Sequence, residues 1–346
     1  MNINSIEKAE LENKKVLLRA DLDVPLLSGE ISDDLRLKAS LETLDYVSQR
    51  AKETIIIGHL GRPIGEDQSL NLRAVAQWYA KNYNSGLKRI EYGGFLGWKI
   101  TSNIILLDNL RFYKEEEEND EEFSKKLASL ADIYVNDAFA SSHRAHSSIA
   151  GVPKFLPSFA GFRLLKEVDV LSKITQNPNR PLAVVIGGAK IETKLPLVEK
   201  MHRFADYVLV GGEIAENDKI LIKVQHEKIT GKKSIVLAAD LNDDKKDVTQ
   251  KSSENFASVV NNCATVVWNG PMGQIEDKDN QKGTEILANG IISSKAYTVV
   301  GGGDTLGFLK NKNLLDKFSF VSMGGGAMLE FLSGEELPGL KALLLS

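Results

Sequence analysis

Cysteine is nearly missing from this chain: a single residue, Cys263, in 346. A lone thiol forms no internal disulfide and supplies no cysteine-based metal cluster, so a disulfide-framed secreted module is excluded and a reducing compartment is expected. Long hydrophobic runs are missing too, and none approaches the roughly 20 residues of a membrane span. The amino terminus, MNINSIEKAELENKK, lacks the apolar core of a secretory signal. There is no excess of one charge: 43 basic residues face 47 acidic ones, for a formal net charge of −4. That near balance exerts no global pull on nucleic acid or anionic membrane, so neither is expected as a partner. What is present, 42% hydrophobic and 26% charged residues, is the composition of a folded soluble chain. At roughly 100–200 residues per domain the length predicts two domains, and the expectation is a cytoplasmic two-domain protein.

A single pattern recurs along the chain: a short apolar, β-branched run that ends abruptly in Gly, Asp, Asn or His. The first half carries KVLLRAD (15–21), TIIIGH (54–59), NIILLDN (103–109) and DIYVNDAF (132–139). The second half carries PLAVVIGG (181–188), DYVLVGG (206–212), SIVLAAD (234–240), ATVVWNG (264–270), YTVVGGG (297–303) and FSFVSMGGG (318–326). Helix-like stretches such as LRLKASLETLDYVSQRAK and NLRAVAQWYAKNY lie between them. Continuous apolar strands separated by amphipathic helices predict parallel sheets covered on both faces, hence two doubly wound α/β domains. GVPKFLPSFAG interrupts the pattern and marks the junction near Pro153–Pro157. The acidic run KEEEENDEE (114–122) is expected to be a solvated helix start, where carboxylates favour the positive end of the dipole.

In open α/β sheets ligands bind beyond the carboxyl ends of the strands, and the two halves differ there. The first half places polar and cationic groups at these ends: Arg19, Asp21 and Asp23 in RADLDVP, His59 and Arg62 in GHLGRP, Arg111 in DNLRF and Arg144 in SSHRAHSS. Arg36 follows in ISDDLRL. Guanidinium forks bind phosphate and carboxylate bidentately, so several converging arginines suit a small, multiply anionic substrate. The second half places glycines there instead: Gly187-Gly188, Gly211-Gly212, Gly270, Gly301 to Gly303 and Gly324 to Gly326. Glycine lets the backbone approach a ligand, and a helix N-terminus after such a turn attracts phosphate. Lys190 and Lys194 lie four apart in GGAKIETK, and Asp304 follows the glycines of GGGDT, where one carboxylate suits Mg²⁺ on nucleotide phosphates. The site is nevertheless not a common one. The chain has no G-x-x-x-x-G-K-S/T, no G-x-G-x-x-G opening a helix after a strand, and no H-R-D or D-F-G set.

Taken in order, RADLDVP, GHLGRP, LLDNLRF, YVNDAF-x-x-x-HRAHSS, GGAKIETK, VVWNGPMG-x-x-E, VVGGGDT, GGGA-x-LE and ELPGLKAL resemble the phosphoglycerate kinase family over nearly the whole chain. The resemblance implies reversible, Mg²⁺-dependent phosphoryl transfer between 1,3-bisphosphoglycerate and ADP, with ATP as the nucleotide product. It also implies a monomer whose partners are these small molecules. By position, residues 1–157 with the tail 331–346 would bind 3-phosphoglycerate through Asp21, Asp23, Arg36, His59, Arg62, Arg111 and Arg144. Residues 158–330 would bind nucleotide through Gly188, Lys190, Lys194, Gly212, Asn269, Pro271, Glu276, Gly302, Gly303, Asp304 and Thr305. Asp304 would hold the metal; Arg36, Lys190, Gly303 and Gly325 would serve the transfer itself. Two sites on separate domains imply hinge closure, expected at GVPKFLPSFAG and SMGGGA. The inventory agrees chemically: a carboxylate nucleophile is already ionised near neutral pH, so no catalytic base is required, and none stands out.

The chain departs from the family pattern at several places. Asp23 stands where Asn is usual, Asp108 where Glu is usual, Met323 where Thr precedes the glycines, and Met328 where a small residue follows. The largest departure lies between Gly211 and Ala264, where Glu213 follows the glycine pair and the segment is short. The resemblance implies that such shortening bears on the adenine side of the pocket, with the phosphate machinery retained. Two rivals stay open on the residues alone: a non-catalytic phosphoglycerate- or partner-binding descendant, and an NAD-dependent dehydrogenase on a doubly wound sheet. The retained Lys190, Lys194, Asp304 and Thr305 argue against the first, and the missing dinucleotide fingerprint against the second.

Overall fold

The computed structural model describes residues 3–188, 197–198, 200–202, 204–215 and 235–344. The chain divides into two compact units, Met1–Asp169 with Glu336–Ser346, and Val170–Glu335. The division falls inside the helix Phe162–Gln176 rather than at the proline-containing segment before it.

The first unit is built on a sheet whose strands are β1 (Lys15–Arg19), β4 (Glu53–Ile57), β5 (Lys88–Tyr92), β6 (Phe95–Lys99), β7 (Ile104–Leu107), β8 (Ile133–Asn136) and β9 (Ser158–Ala160), in the order β5-β6-β7-β4-β1-β8-β9. A small hairpin, β2 (Leu26–Leu27) with β3 (Glu30–Ile31), stands apart. From β7 to β9 every pairing is parallel, and the apolar runs are buried on both faces, as in Ile55, Ile56 and Ile57 of β4. The helix Leu35–Ser48 covers one face with Leu37, Leu44 and Val47. The chain order of these parallel strands reverses between β1 and β8, which makes a crevice at their carboxyl ends. Beyond the parallel core, β5 and β6 add an antiparallel edge that the expectation of purely parallel sheets did not include. KRIEY is charged at three of its five positions and leaves only Ile90 and Tyr92 half-buried, while FLGWK exposes Leu96 and Lys99, so neither reads as a continuous buried run. The carboxyl-terminal segment packs in this unit, where Gly339 N–H donates to the Ser142 carbonyl at 2.9 Å.

The second unit holds an all-parallel sheet of β10 (Leu182–Ile186), β11 (Tyr207–Val210), β12 (Ile235–Ala238), β13 (Thr265–Asn269), β14 (Tyr297–Gly301) and β15 (Phe320–Ser322). Its order, β12-β11-β10-β13-β14-β15, is that of a doubly wound dinucleotide-type sheet, with the reversal between β10 and β13. Gly187 and Gly188 follow β10, and Gly270 and Pro271 follow β13, so both expected phosphate turns stand at the reversal.

Candidate functional site

At the strand ends of the first unit, backbone geometry gathers most of the expected substrate residues. Asp21 follows β1 and is buried, with burial pushing its carboxyl above the usual range against the pull of Arg36. Arg36, from the first turn of the helix Leu35–Ser48, donates through Nη1 to Asp21 Oδ1 at 3.2 Å and to the Asp23 carbonyl at 2.9 Å. The same nitrogen lies 3.6 Å from Asp23 Oδ2, while Gly61 N–H donates to Asp23 Oδ1 at 2.8 Å. The negative charge at position 23 therefore has a guanidinium and an amide beside it. Asp21 Oδ2 is buried with no hydrogen-bond partner.

His59 follows β4 and is buried; its Nδ1 lies 2.8 Å from Arg19 Nη2. Burial, then Arg19 and Arg111, hold its pKa well below the ordinary value, so the ring is neutral near pH 7. Arginine carries no acceptor, so Nδ1 must accept and the ring proton sits on Nε2, which is 3.8 Å from Asp23 Oδ2. Arg111 follows β7, donates through Nη1 to the Gly61 carbonyl at 2.5 Å, and pairs with Glu117 at 3.3 Å. Burial first, then the Arg144 guanidinium, pushes Arg111 below its usual pKa. Arg144 follows β8 and is half-buried, and Arg62 is exposed. His143 and His146 are pushed down to about 4 and about 3, chiefly by burial and then by the neighbouring arginines. These cations raise one another's electrostatic cost, and a multiply charged anion is the ligand that lowers it.

Three residues that organise this surface were weak signals in the sequence. Asn109, fully buried, donates to the Leu60 and Leu70 carbonyls at 2.7 and 2.9 Å and accepts from Leu60 and Arg111 N–H. It thus ties the loop after β4 to the loop after β7; a buried Asn directly after an apolar run was the available clue. Arg19 is completely buried, so it is no member of the open cationic surface on which its strand-end position had placed it. Glu116 corrects the reading of the acidic run as a solvated helix start. The helix Lys114–Glu118 turns this one carboxylate inward, where it is fully buried against Ser148, while Glu115, Glu117 and Glu118 remain exposed.

In the second unit the site is made of backbone. Gly188, Gly212 and Gly302 adopt φ of +95°, +66° and +99°, conformations that L side chains rarely take. The helices Gly303–Asn311 and Gly325–Leu332 begin directly at glycine turns, presenting N–H groups and the positive ends of their dipoles. The turns touch: a methyl added to Gly325 would lie 2.5 Å from Gly302 Cα. Asn269 is buried between them and donates through Nδ2 to the Gly325 carbonyl at 3.0 Å. The Thr305 hydroxyl is buried and accepts from Gly270 N–H at 3.0 Å, so its side chain braces the turn after β13. Pro271 is buried in that turn; Asp304 and Glu276 are exposed. Lys190 and Lys194 lie outside the described residues.

The two α/β units thus offer unlike anion-binding surfaces, one of side-chain cations and the other of glycine turns and helix N-termini. The family model described as phosphoglycerate kinase matches residues 6–241 and 216–335. The phosphoglycerate kinase of Finegoldia magna is 36% identical over 392 aligned residues, covering 99% of both chains. That of Coprothermobacter proteolyticus is 36% identical over 394, covering 100% of both. The solved structure of phosphoglycerate kinase from Coxiella burnetii superposes with a TM-score of 0.83 at 35% identity, covering 99% of this chain and 98% of that one. The chain belongs to the phosphoglycerate kinase family. Alignments of 392 and 394 positions against 346 residues show that these relatives carry segments this chain lacks.

Proposed function

We propose that the first unit binds 3-phosphoglycerate, that the second binds the nucleotide, and that the chain transfers phosphoryl between 1,3-bisphosphoglycerate and ADP. The observation that carries this reading is the charge arrangement at the first unit's strand ends. Mutually repelling Arg111 and Arg144 stand with a neutral donor, His59, and with an acceptor oxygen of Asp21 that nothing else engages. A ligand with two anionic ends and a hydroxyl between them meets all three demands. Arg36 links Asp21 and Asp23 at the rim and is the cation placed to follow charge onto the transferring group.

For the nucleotide, the N–H groups of Gly303 and Gly325 and the backbone at Gly188, Gly212 and Gly302 suit phosphate oxygens, with Asn269 and Pro271 shaping the turn. Glu276 suits ribose hydroxyls, and Lys190 and Lys194 enter on sequence alone. Among the described residues no group of three or more His, Cys, Asp or Glu gathers as a metal cage. The exposed carboxylate of Asp304 fits Mg²⁺ that arrives with the nucleotide, since Mg²⁺ takes one or two carboxylates plus phosphates. Bound there, the ion would neutralise phosphate charge. The chain's own groups hold the reactants in line and supply fixed dipoles to the equatorial oxygens; a carboxylate acceptor needs no deprotonation. Transfer also requires the two ligand sets to meet and exclude water, so the reading includes closure of the units.

A coupled steady-state assay with 3-phosphoglycerate and Mg²⁺, comparing ATP with GTP, tests the reading. Turnover with ATP at ordinary affinity is expected. Turnover only at high nucleotide, or with several bases, would place a cost of the shortened 211–264 segment in the base pocket. A folded protein that binds 3-phosphoglycerate without turnover would refute the kinase assignment.

A further inference from the structure

The buried groups behind His59 form one chain of hydrogen bonds whose every proton is assigned by geometry. Arg19 donates through Nη2 to His59 Nδ1 at 2.8 Å, through Nη1 to the Ala20 carbonyl at 2.6 Å, and through Nε to Ser148 Oγ at 2.9 Å. Ser148 Oγ therefore accepts from Arg19 and must give its own proton elsewhere. Glu116 Oε1 takes it at 2.5 Å, a length typical of a hydroxyl donating to a carboxylate. Glu116 Oε2 accepts from Ser148 N–H at 2.9 Å, so both oxygens act as acceptors; burial pushes this carboxyl's pKa up, while Arg19 and the two Ser148 bonds favour the ionised form that this geometry requires. His146 Nδ1, at 3.9 Å from Oε1, is beyond hydrogen-bond reach, and the Tyr134 hydroxyl is used on the Ser148 carbonyl at 2.6 Å.

We propose that Glu116, Ser148 and Arg19 are positioning residues that lock His59 in its Nε2–H tautomer and hold that proton toward the bound phosphoglycerate. This rests on the assignment of His59 to the substrate side. A structural arginine would need only backbone acceptors and a counter-charge. Here one arm of the guanidinium ends on a histidine whose other nitrogen faces the substrate surface beside Asp23. The far end is a carboxylate that gives Arg19 a buried counter-charge through one hydroxyl, without occupying the guanidinium itself. All members except Asp23 are buried, so solvent does not compete for these donors and acceptors.

The relay makes its members separable. Glu116→Gln keeps the volume but replaces one acceptor by an amide donor, so two donors meet at Ser148 and the hydroxyl proton loses its place. Ser148→Ala removes the link and is the milder change to the fold. Long-range ¹H–¹⁵N correlation of the imidazole reports the tautomer, and titration of 3-phosphoglycerate and of ADP reports each site. In the native protein His59 is expected as a single Nε2–H tautomer. In both variants Arg19 Nε loses its well-oriented acceptor, the guanidinium is no longer held on His59 Nδ1, and the ring should become a mixture, with 3-phosphoglycerate bound roughly tenfold more weakly and ADP unchanged. An unchanged single tautomer in folded Ser148→Ala and Glu116→Gln would overturn the relay. If the tautomers mix while 3-phosphoglycerate binding is unaltered there and in His59→Gln, the substrate role of His59 falls instead.

Discussion

Gly325→Ala tests the glycine-built half of the site most directly. A methyl placed there would lie 2.5 Å from Gly302 Cα, 2.6 Å from Gly302 N and 3.0 Å from Asn269 Nδ2. Two of those atoms are backbone, held at a turn whose φ is +99°, so no side-chain rotation relieves the overlap. Carbon atoms rest about 3.5–4.0 Å apart, so the turns after β14 and β15 must separate by roughly 1 Å or more. Overpacking of this kind costs about 1–3 kcal/mol, and the Asn269 bond to the Gly325 carbonyl weakens with it. A displacement of about 1 Å between positioned groups lowers phosphoryl transfer by roughly 10²-fold. Gly326→Ala is the control: nothing lies within 4 Å of the added methyl, and alanine in a helix is favoured over glycine by about 0.5–1 kcal/mol. Coupled-assay turnover and urea unfolding of both variants decide the matter. Native turnover and stability in Gly325→Ala would show that the two turns do not need their close approach.

Other outcomes follow from the first unit and the metal site. Arg36→Ala removes the cation shared by Asp21 and Asp23 and should raise the KM for 3-phosphoglycerate about 10–100-fold; an unchanged KM would make Arg36 a surface arginine. His146 is held at about 3, below its value near 6.5 when unfolded, so unfolding takes up a proton between those pH values and acid destabilises the native state through this residue. His146→Gln should therefore gain stability relative to the native protein as pH falls from 7 to 5, by about 1 kcal/mol once solvent screening is allowed for, read from urea midpoints. A difference that stays flat with pH would mean that the ring titrates normally. Asp304→Asn should weaken Mg²⁺-nucleotide binding while leaving 3-phosphoglycerate affinity unchanged, as measured by calorimetry. Equal loss of both ligands would point to a folding defect.

The ten apolar runs were legible as strands because most are buried on both faces and so read as continuous β-branched stretches ending in a turn residue; the edge strand β12, with Ile235 exposed, kept the same pattern. The same reasoning could not see β5 and β6. Neither is a continuous buried run, and both KRIEY and FLGWK carry charges. The strand-end cations were visible as residue types, but not which of them face outward. Arg19 ends the strand β1 and Arg111 stands in the turn after β7, and both are buried. Arg19 is sealed behind His59, whereas Arg111 reaches the Gly61 carbonyl in the same loop that contacts Asp23. Glu116 was hidden for a related reason: four consecutive glutamates look alike, and only the phase of a short helix decides which one is buried.

On the proposed reading the two units would bind phosphate differently, and the difference bears on where loss of sequence would be felt. In the first unit, affinity would depend on side chains held by neighbours several loops away: Asn109 bridges Leu60 and Leu70, and Arg19 connects His59 to Ser148. Removing any connecting loop there would unset a charge. In the second unit the proposed anion-binding groups are backbone N–H groups at the ends of β14 and β15, held by the sheet itself and by Asn269 and Thr305. On the proposed reading, shortening between Gly211 and Ala264 would act on whatever surrounds the base, with the glycine turns at the ends of β14 and β15 placing the phosphates. The expected signature is a weakened preference among nucleoside triphosphates at nearly constant turnover. A fall in turnover with base preference intact would show that the shortened segment reaches the phosphates after all.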